Sequence, residues 1–327
     1  MKNRVFKKRM MGALLGLAMF LGACSQGSAS TKNPVVIYTN ADDEPIQEIQ
    51  KALDENGFKD QYLLQTFSTS ELGGKLLAEG SNIEADLVTM STFYATSAQE
   101  KNQLFQKLDH FGKTLQSTPE YAAPFTSQEG VIFYNTKALA EANLAKPTSL
   151  KDLTKPEYKG AISISDIKQS STAWLLFQAL VDTYGEKEAK EILQGIYANA
   201  GDHIEQSGSG PLKKVRVGEV VFGFGLRHQA VKDKKEGQPI DVIEPTEGTY
   251  SLTESLMVID KGEKTNSKAQ EMLAVIIEKA RPEILKIYPN ALYEEEDVSG
   301  LEVANEPKVF PEPLTAELLE QHKKLVE

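Results

Sequence analysis

The chain has 327 residues, of which 36 are lysine or arginine and 47 are aspartate or glutamate, so its formal net charge at pH 7 is −11. That charge argues against nucleic acid or an anionic lipid surface as a partner, because both repel an acidic protein. With one cysteine, the chain cannot form a disulfide within itself.

The first element along the chain is a secretory signal. Five basic residues among the first nine precede an apolar stretch, Met10 to Gly22, which as a helix spans only about 20 Å and cannot cross a hydrocarbon core of about 30 Å. Cys24 follows Leu21-Gly22-Ala23, and this pattern resembles the lipobox of bacterial lipoproteins. The resemblance implies cleavage before Cys24 and acylation of its thiol, which would anchor the protein in the cell membrane on the extracytoplasmic face. An ordinary signal with a chance cysteine is the alternative.

The mature chain begins after the predicted signal peptide, residues 1–23. Residues 24–33 are small and polar, which is typical of a flexible tether. Without the signal peptide, 304 residues remain, with 31 lysines and arginines against 47 acids. One hydrophobic core stops growing at about 250–300 residues, so we expect two lobes.

Strand-like and helix-like segments alternate through the mature chain, which predicts an α/β fold. The predicted strands are residues 35–38, 62–67, 85–90, 131–134, 161–164, 219–224, 241–243 and 255–259. The predicted helices are residues 45–56, 70–79, part of 91–108, 171–184, 186–199 and 267–279. The Ser68-x-x-Glu71 pattern is a capping box, which marks the start of the second helix.

The chain is expected to cross between the two lobes twice. A proline-containing stretch leads into the strand 131–134, and a polar stretch follows the strand 241–243. We therefore predict a first lobe from residues 34–125, a second lobe from residues 126–243 and a return to the first lobe over residues 244–327. Two crossings create a cleft between the lobes, and clefts of this kind bind ligands.

Hydroxyl-bearing and small polar residues follow several of the predicted strands, where helices begin. Such helix starts offer free backbone N–H groups, and the helix dipole favours an anion there. The carboxyl ends of strands in an open α/β sheet are also where ligands bind. The alternative is that these residues are ordinary N-caps. The candidate ligand-binding residues are Thr39, Asn40, Ser68, Thr69, Ser70, Ser91, Thr92, Ser171, Thr172, Ser207 and Ser209.

The segment GFGLRHQ, residues 223–229, brings Arg227 and His228 side by side at a predicted strand end. One interpretation is a solvated surface. The other is an anion site, because a guanidinium makes bidentate contacts with phosphate, phosphonate or carboxylate, and a protonated His228 adds a donor. Tyr250, on the return crossing, is either a further ligand contact or part of the hinge packing. Asp42-Asp43-Glu44 either pairs with a ligand amine or favours the first turn of the following helix.

Four stretches carry a resemblance to a known family: TFSTSELGGKLLAEGSNIEADLV (66–88), GVIFYNTKAL (130–139), PTSLKDLTKPEYKGAISISD (147–166) and VRVGEVVFGFG (215–225). Together they resemble the extracellular solute-binding proteins of bacterial ABC importers, in the ferric ion and 2-aminoethylphosphonate branch. The resemblance implies the type 2 periplasmic-binding-protein fold, in which each lobe is a mixed sheet flanked by helices and two crossover strands join the lobes. It also implies that the lobes close on a solute, which a cognate membrane permease and ATPase then import.

One departure from that family bears on the ligand. Ferric-ion members place two adjacent tyrosines just beyond the strand that here reads VVFGFG, and this chain has Leu226-Arg227-His228 instead. Fe³⁺ prefers anionic oxygen ligands, which a guanidinium cannot supply. We therefore expect a small anionic solute of the phosphonate or sugar-phosphate type. Ferric iron or a ferric-citrate-like complex is the alternative.

An enzyme and a surface adhesin are the rival classes of function. The chain lacks Gly-x-Ser-x-Gly and His-Glu-x-x-His, and its four histidines are scattered without metal-ligand spacing. The sequence therefore predicts no catalytic residue, no cofactor and no resident metal. We expect the protein to be a monomer.

Overall fold

The computed structural model of the protein describes residues 33–109, 111–311 and 313–326. The predicted signal peptide, the lipidation site Cys24 and the tether up to residue 32 lie outside the described residues. Within the described part of the chain, no helix is both long enough and apolar enough to cross a membrane.

The described residues form ten strands and ten α-helices that alternate along much of the chain. The strands are β1 (Val35–Thr39), β2 (Tyr62–Thr66), β3 (Leu87–Ser91), β4 (Ala123–Asn135), β5 (Ile162–Ser165), β6 (Ile204–Glu205), β7 (Phe222–Leu226), β8 (Ile240–Ile243), β9 (Thr249–Val258) and β10 (Pro307–Lys308). The helices are α1 (Asp43–Leu53), α2 (Thr69–Glu79), α3 (Thr92–Asn102), α4 (Thr136–Ala142), α5 (Ser171–Ala200), α6 (Gly210–Arg216), α7 (Arg227–Lys235), α8 (Lys268–Val275), α9 (Arg281–Ile287) and α10 (Ala316–Val326).

The first lobe is built on the strand order β2-β1-β3-β9-β4. Strand β1 pairs in parallel with β2 and β3, whereas β9 runs antiparallel to β3 and β4. All five residues of β1 are buried, as expected for an apolar, β-branched strand that is covered on both faces. The sheet is therefore mixed, with the parallel strands ending at one edge.

The second lobe is built on the strand order β4-β7-β5-β6, with β8 also paired to β4. Strand β4 belongs to both sheets, because it pairs with β9 up to Glu129 and with β7 from Gly130. A side chain at Gly130 would meet the Phe224 ring, since a Cβ atom there would lie 2.5 Å from Cζ. The glycine thus allows the second lobe to pack closely where β4 changes partners.

The predicted pair of helices at 171–184 and 186–199 appears as α5, which is interrupted at Gly185, where φ is 76° and ψ is 161°. A glycine adopts this backbone conformation without the steric penalty of a side chain. Trp174, in the first turn of α5, is fully buried and meets the Phe93 ring of α3 edge-on at 4.7 Å between centroids. One hydrophobic core therefore reaches from the first lobe into the second.

The predicted α/β fold and both crossover strands are confirmed, because β4 and β9 are the long strands that the sequence placed at the crossings. The sequence missed α4, α7, α9 and α10, and it began the strand β7 three residues too early. Residues 33–327 cluster as one compact unit. The lobe boundaries at residues 125 and 243 stay a prediction.

Candidate functional site

A cavity of about 350 Å³ lies where helix starts from both lobes meet. Its volume suits a small molecule of a few to a dozen heavy atoms. Six of the predicted ligand-binding residues line it: Asn40, Ser68, Thr69, Ser171, Thr172 and Ser207. The sequence argument from hydroxyls at helix starts therefore located residues that the fold brings together.

The first-lobe wall is formed by the ends of β1 and β2. Ser68 is the N-cap of α2, and its Oγ accepts a hydrogen bond from the Glu71 backbone N–H at 3.3 Å. Asn40 Nδ2 donates to Thr69 Oγ1 at 3.0 Å and to Glu254 Oε1 at 2.9 Å. This network ties the loop after β1 to the start of α2 and to the crossover strand β9.

The second-lobe wall is formed by the start of α5 and the loop that precedes α6. Ser170 is the N-cap of α5, and its Oγ accepts from the Thr172 backbone N–H at 3.2 Å. A Cβ atom on Gly208 would lie 2.2 Å from Thr172 Oγ1, and a Cβ on Gly225 would lie 2.9 Å from the Gly208 carbonyl oxygen. The two glycines thus let the loop, the helix start and strand β7 approach one another closely.

Glu254 is a buried carboxylate in the cavity wall that the sequence analysis did not single out. Only 2% of the residue is exposed, and Oε2 accepts hydrogen bonds from Thr126 Oγ1 and Gln128 Nε2, each at 3.0 Å. Burial raises the pKa of Glu254, although the donors Asn40, Thr126 and Gln128 oppose the rise. The sequence around Glu254 did not indicate a place in the cavity wall, because a single acid within a partly polar strand such as β9 is ordinary.

Asp42 is the second acid of the cavity wall. Burial, together with the nearby carboxylates Glu254, Glu44 and Asp43, raises the pKa of Asp42 to about 7. Among the described residues that line the cavity, the side chains that ionise are the two carboxyls of Asp42 and Glu254. The cavity therefore attracts a positive charge more readily than a second negative one.

A second cavity of about 330 Å³ adjoins the first and shares Ala41 and Asp42 with it. Ser209, another predicted ligand-binding residue, lines this second cavity. So do the basic side chains Lys213 and Arg216 of α6. Positive charge thus lies beside Asp42, outside the main cavity.

Arg227 lies outside the lining of both cavities. It is 3% exposed, and its guanidinium donates to the Glu302 carbonyl oxygen at 2.7 Å and to the Val303 carbonyl oxygen at 2.9 Å. Two carboxylates are also near, with Glu244 Oε1 at 3.4 Å and Glu129 Oε2 at 3.8 Å. The two terminal nitrogens of the guanidinium are therefore occupied by groups of the chain itself, whereas Nε has no partner among the described residues. A ligand contact of Arg227 stays a prediction.

His228 is buried against the Tyr288 ring, with 3.9 Å between the ring centroids. Both of its ring nitrogens lack a hydrogen-bond partner among the described residues. Burial and, to a smaller extent, Lys232 lower the pKa of His228 to about 3. The imidazole is therefore neutral near pH 7, which removes the expected role of a protonated donor.

The neutral state of His228 makes stability depend on pH. Since its pKa of about 3 in the folded chain lies below the ordinary value of about 6.5, the unfolded chain takes up the proton first. The stability present above pH 6.5 is therefore lost as the pH falls, by up to about 2 kcal/mol between pH 6.5 and 5. We expect urea unfolding to show that His228→Phe removes this loss.

The contribution of His228 is the difference in pH dependence of stability between wild type and His228→Phe. The raised pKa values of Asp42 and Glu254 increase stability as the pH falls, but they do so equally in both proteins and cancel in this difference. His203→Gln, at a partly exposed histidine, is the matched control and should keep the wild-type dependence. An equal loss of stability on acidification in His228→Phe would contradict the assignment.

The remaining predicted ligand-binding residues have partners elsewhere in the fold. Thr39 is buried and bonds Thr89 through their hydroxyls, and Thr92 Oγ1 donates to the Thr253 carbonyl oxygen at 3.0 Å. Ser91 is buried, and its hydroxyl has no partner among the described residues. None of the three lines the main cavity.

Ser70 and Tyr250 also lie outside the lining of the main cavity. Ser70 Oγ donates across to the Lys168 carbonyl oxygen at 3.0 Å. Tyr250 donates its hydroxyl to Asp182 and stacks on Phe310 with 4.6 Å between centroids. These contacts favour the hinge-packing interpretation of Tyr250 over the ligand-contact one.

Within the described part of the chain, no group of three or more histidine, cysteine, aspartate or glutamate side chains is placed to hold a metal ion. Tyr288 is a phenol that interacts with both cavity acids, because burial, followed by the charges of Asp42 and Glu254, raises its pKa far above the ordinary value. A buried, protonated phenol is a poor ligand for a cation.

Comparison with known proteins identifies a family whose sequences match this chain. The family described as bacterial extracellular solute-binding protein matches residues 47–283. A Fe(3+)-binding periplasmic protein of Serratia marcescens is 29% identical over 314 residues, which cover 91% of this chain and 88% of that protein. The spermidine/putrescine-binding periplasmic protein of Escherichia coli is 25% identical over 326 residues, with the same two coverages.

A solved structure supports the fold. The periplasmic binding protein AfuA of Actinobacillus pleuropneumoniae, with fructose-6-phosphate bound, superposes with a TM-score of 0.69 at 19% identity, over 90% of this chain and 97% of that one. At this identity the likeness supports the two-lobed architecture and says nothing about the ligand.

Proposed function

Because the chain belongs to the family of bacterial extracellular solute-binding proteins, which capture solutes for the permeases of ABC importers and are not enzymes, we propose that its cargo is a small zwitterion. The proposed solute carries a phosphonate or phosphate group and, a few bonds away, a primary amine. Aminoalkylphosphonates such as 2-aminoethylphosphonate have this structure.

The charge distribution of the cavity is the observation that carries the proposal. The second-lobe wall offers the start of α5 with the hydroxyls of Ser170, Ser171 and Thr172, and a helix start favours an anionic group. The first-lobe wall offers Asp42 and Glu254, which favour an ammonium group. A solute with one group of each kind is complementary to both walls.

A purely anionic solute fits this cavity less well. It would bring negative charge into a cavity whose own charged groups are carboxyls, with no lysine or arginine among the described residues that line it. Like charges in a partly desolvated site repel strongly. Sugar phosphates and inorganic anions are for this reason less suitable than aminoalkylphosphonates.

The expected contacts are sufficient for micromolar capture, which needs about 8 kcal/mol. Hydrogen bonds to a charged group contribute about 1.5–3 kcal/mol each. Two or three bonds from hydroxyls and backbone N–H groups to the phosphonate, with one pair between the amine and a carboxylate, supply this amount before the cost of ordering the lobes.

Ferric iron is the second candidate, because the relative from Serratia marcescens binds Fe(3+) and the cavity holds two carboxyls. Against it stands the absence, within the described residues, of a cluster of three or more metal-ligating side chains. A ferric complex whose own ligands fill the remaining positions would avoid that objection.

Thermal unfolding with a ligand panel tests the proposal. The panel contains 2-aminoethylphosphonate, ethylphosphonate, fructose 6-phosphate, putrescine and ferric citrate. We expect 2-aminoethylphosphonate at 100 times its Kd to raise Tm by about 5 °C, and ethylphosphonate, which lacks only the amine, to raise it far less. A larger shift with putrescine, fructose 6-phosphate or ferric citrate would overturn the choice of solute.

We further propose that the protein is a monomer anchored in the cell membrane through an acylated Cys24. The lipobox-like sequence Leu21 to Cys24 supports the anchor. A tether of about nine residues would let the folded part reach a permease in the same membrane.

A further inference from the structure

The C-terminal helix α10 contacts both lobes. At its start, the Ala316 backbone N–H donates to Ser97 Oγ of α3 at 3.1 Å, and that hydroxyl donates to Glu317 Oε2 at 3.0 Å. Near its end, His322 Nδ1 accepts from the indole Nε1–H of Trp174 in α5 at 3.0 Å. Helix α10 therefore joins a helix of the first lobe to a helix of the second.

The same helix contacts both helix starts that line the solute cavity. Trp174 lies three residues after the cavity residue Ser171. Lys323 Nζ lies 3.5 Å from Ser70 Oγ at the start of α2, and Ser70 donates in turn to the Lys168 carbonyl oxygen ahead of α5. A change in the docking of α10 would consequently reach the two walls of the cavity.

His322 is held in an apolar environment. It is 1% exposed and lies edge-on to the rings of Phe177 and Trp174, with 5.0 Å and 6.3 Å between centroids. Because Nδ1 accepts the indole proton, the neutral imidazole carries its own proton on Nε2. That nitrogen has no hydrogen-bond partner among the described residues, and the carboxylate of Glu186 lies 3.8 Å away.

We propose that α10 is a pH-sensitive clasp, which neutral His322 keeps docked across the two lobes and which protonation of His322 releases. A proton on Nδ1 would face the indole N–H of Trp174, so the acceptor is lost and two donors oppose each other. The buried pair of rings would then have to separate or let water enter.

The charged and titratable groups of the helices that pack together here determine the pH at which His322 is protonated. On α5, Glu186 favours the protonated form. On α10 itself, Glu320 pairs with Lys323 at 2.8 Å, and Glu317 accepts from Ser97. On α3, Tyr94 stays protonated, because burial raises its pKa to about 12. Burial dominates and lowers the pKa of His322, so the release is expected below the ordinary value of about 6.5.

Trp174 allows a direct test, since it is the only tryptophan of the chain. We expect the fluorescence of the ligand-free protein to titrate with a midpoint below pH 6.5, and we expect His322→Gln, which keeps a neutral acceptor, to lose this transition. His203→Gln is the control and should keep it. A transition that persists unchanged in His322→Gln would overturn the clasp.

Hydrogen exchange of the wild-type protein gives a second readout that needs no variant. After correction for intrinsic rates, we expect the amides of α10 to exchange about tenfold faster or more below the midpoint of the fluorescence transition than at pH 7, with the amides of β1 unaffected. Equal protection of α10 at the two pH values would overturn the proposal. Neither readout uses a solute, so each is independent of the proposed cargo.

Discussion

Replacing Arg227 by alanine should lower the free energy of unfolding by about 3–5 kcal/mol, because removal of one partner leaves buried charges and carbonyls unpaired. The two terminal nitrogens of the guanidinium donate to the carbonyl oxygens of Glu302 and Val303 and to the carboxylate of Glu244, and the carboxylate of Glu129 lies 3.8 Å away. The measurement is urea unfolding at pH 7.

The loss of unfolding free energy caused by Arg227→Ala should be greater at pH 8 than at pH 6. Burial raises the pKa of Glu129, and Arg227 opposes that rise. Without Arg227 the carboxyl of Glu129 is protonated more readily, and at the lower pH its protonation relieves part of the cost.

Lys286→Ala is the control, because the Lys286 side chain is 62% exposed and pairs with Glu283, whose side chain is 42% exposed. Its removal should cost about 1 kcal/mol or less. If Arg227→Ala instead keeps its stability and loses affinity for 2-aminoethylphosphonate, the original prediction of a ligand contact is correct and the structural role is wrong.

The change Glu254→Gln should weaken the binding of 2-aminoethylphosphonate by at least about 30-fold, since truncation of a buried, hydrogen-bonded charge pair costs about 2 kcal/mol or more. The variant keeps the size of the side chain but removes the negative charge that the ligand amine would meet. Isothermal titration calorimetry gives the affinity, and a thermal scan shows whether the variant remains folded.

Ethylphosphonate makes this experiment specific. If Glu254 acts on the amine, Glu254→Gln should bind ethylphosphonate at least as tightly as wild type does. The effect of removing the ligand amine would then depend on whether the Glu254 carboxyl is present. Glu188→Gln, a change at a half-exposed acid far along α5, should leave both affinities unchanged. A loss of affinity that is equal for the two ligands would show that Glu254 acts on the structure of the cavity and not on the amine.

The sequence predicted the framework of the site because the relevant signals are local. Ser68 and Ser170 cap helices by bonding N–H groups two or three residues ahead, and such caps are readable from a short stretch of sequence. The hydroxyls beside them therefore fell in the cavity as expected. Thr39 and Ser91 carry the same local pattern, yet they are buried within the sheet.

The charges of the site could not be predicted in the same way, since their environments depend on distant partners. Glu254 is joined to Asn40, which is 214 positions away in the sequence, and Arg227 to Val303, which is 76 positions away. Nothing within five residues of either side chain indicates these contacts. The pKa of His228 likewise depends on its burial against the Tyr288 ring. His228 lies on α7, a helix that the sequence did not predict.

The continuity of strand β4 limits how the two halves of the molecule can move. Its residues keep ladder partners on both sides of the step from Glu129 to Gly130, so the length of the junction is fixed. One extra residue at that step would turn every following side chain to the opposite face. The spacing of the two lobes at this junction is thus fixed by the side-chain alternation of a single strand.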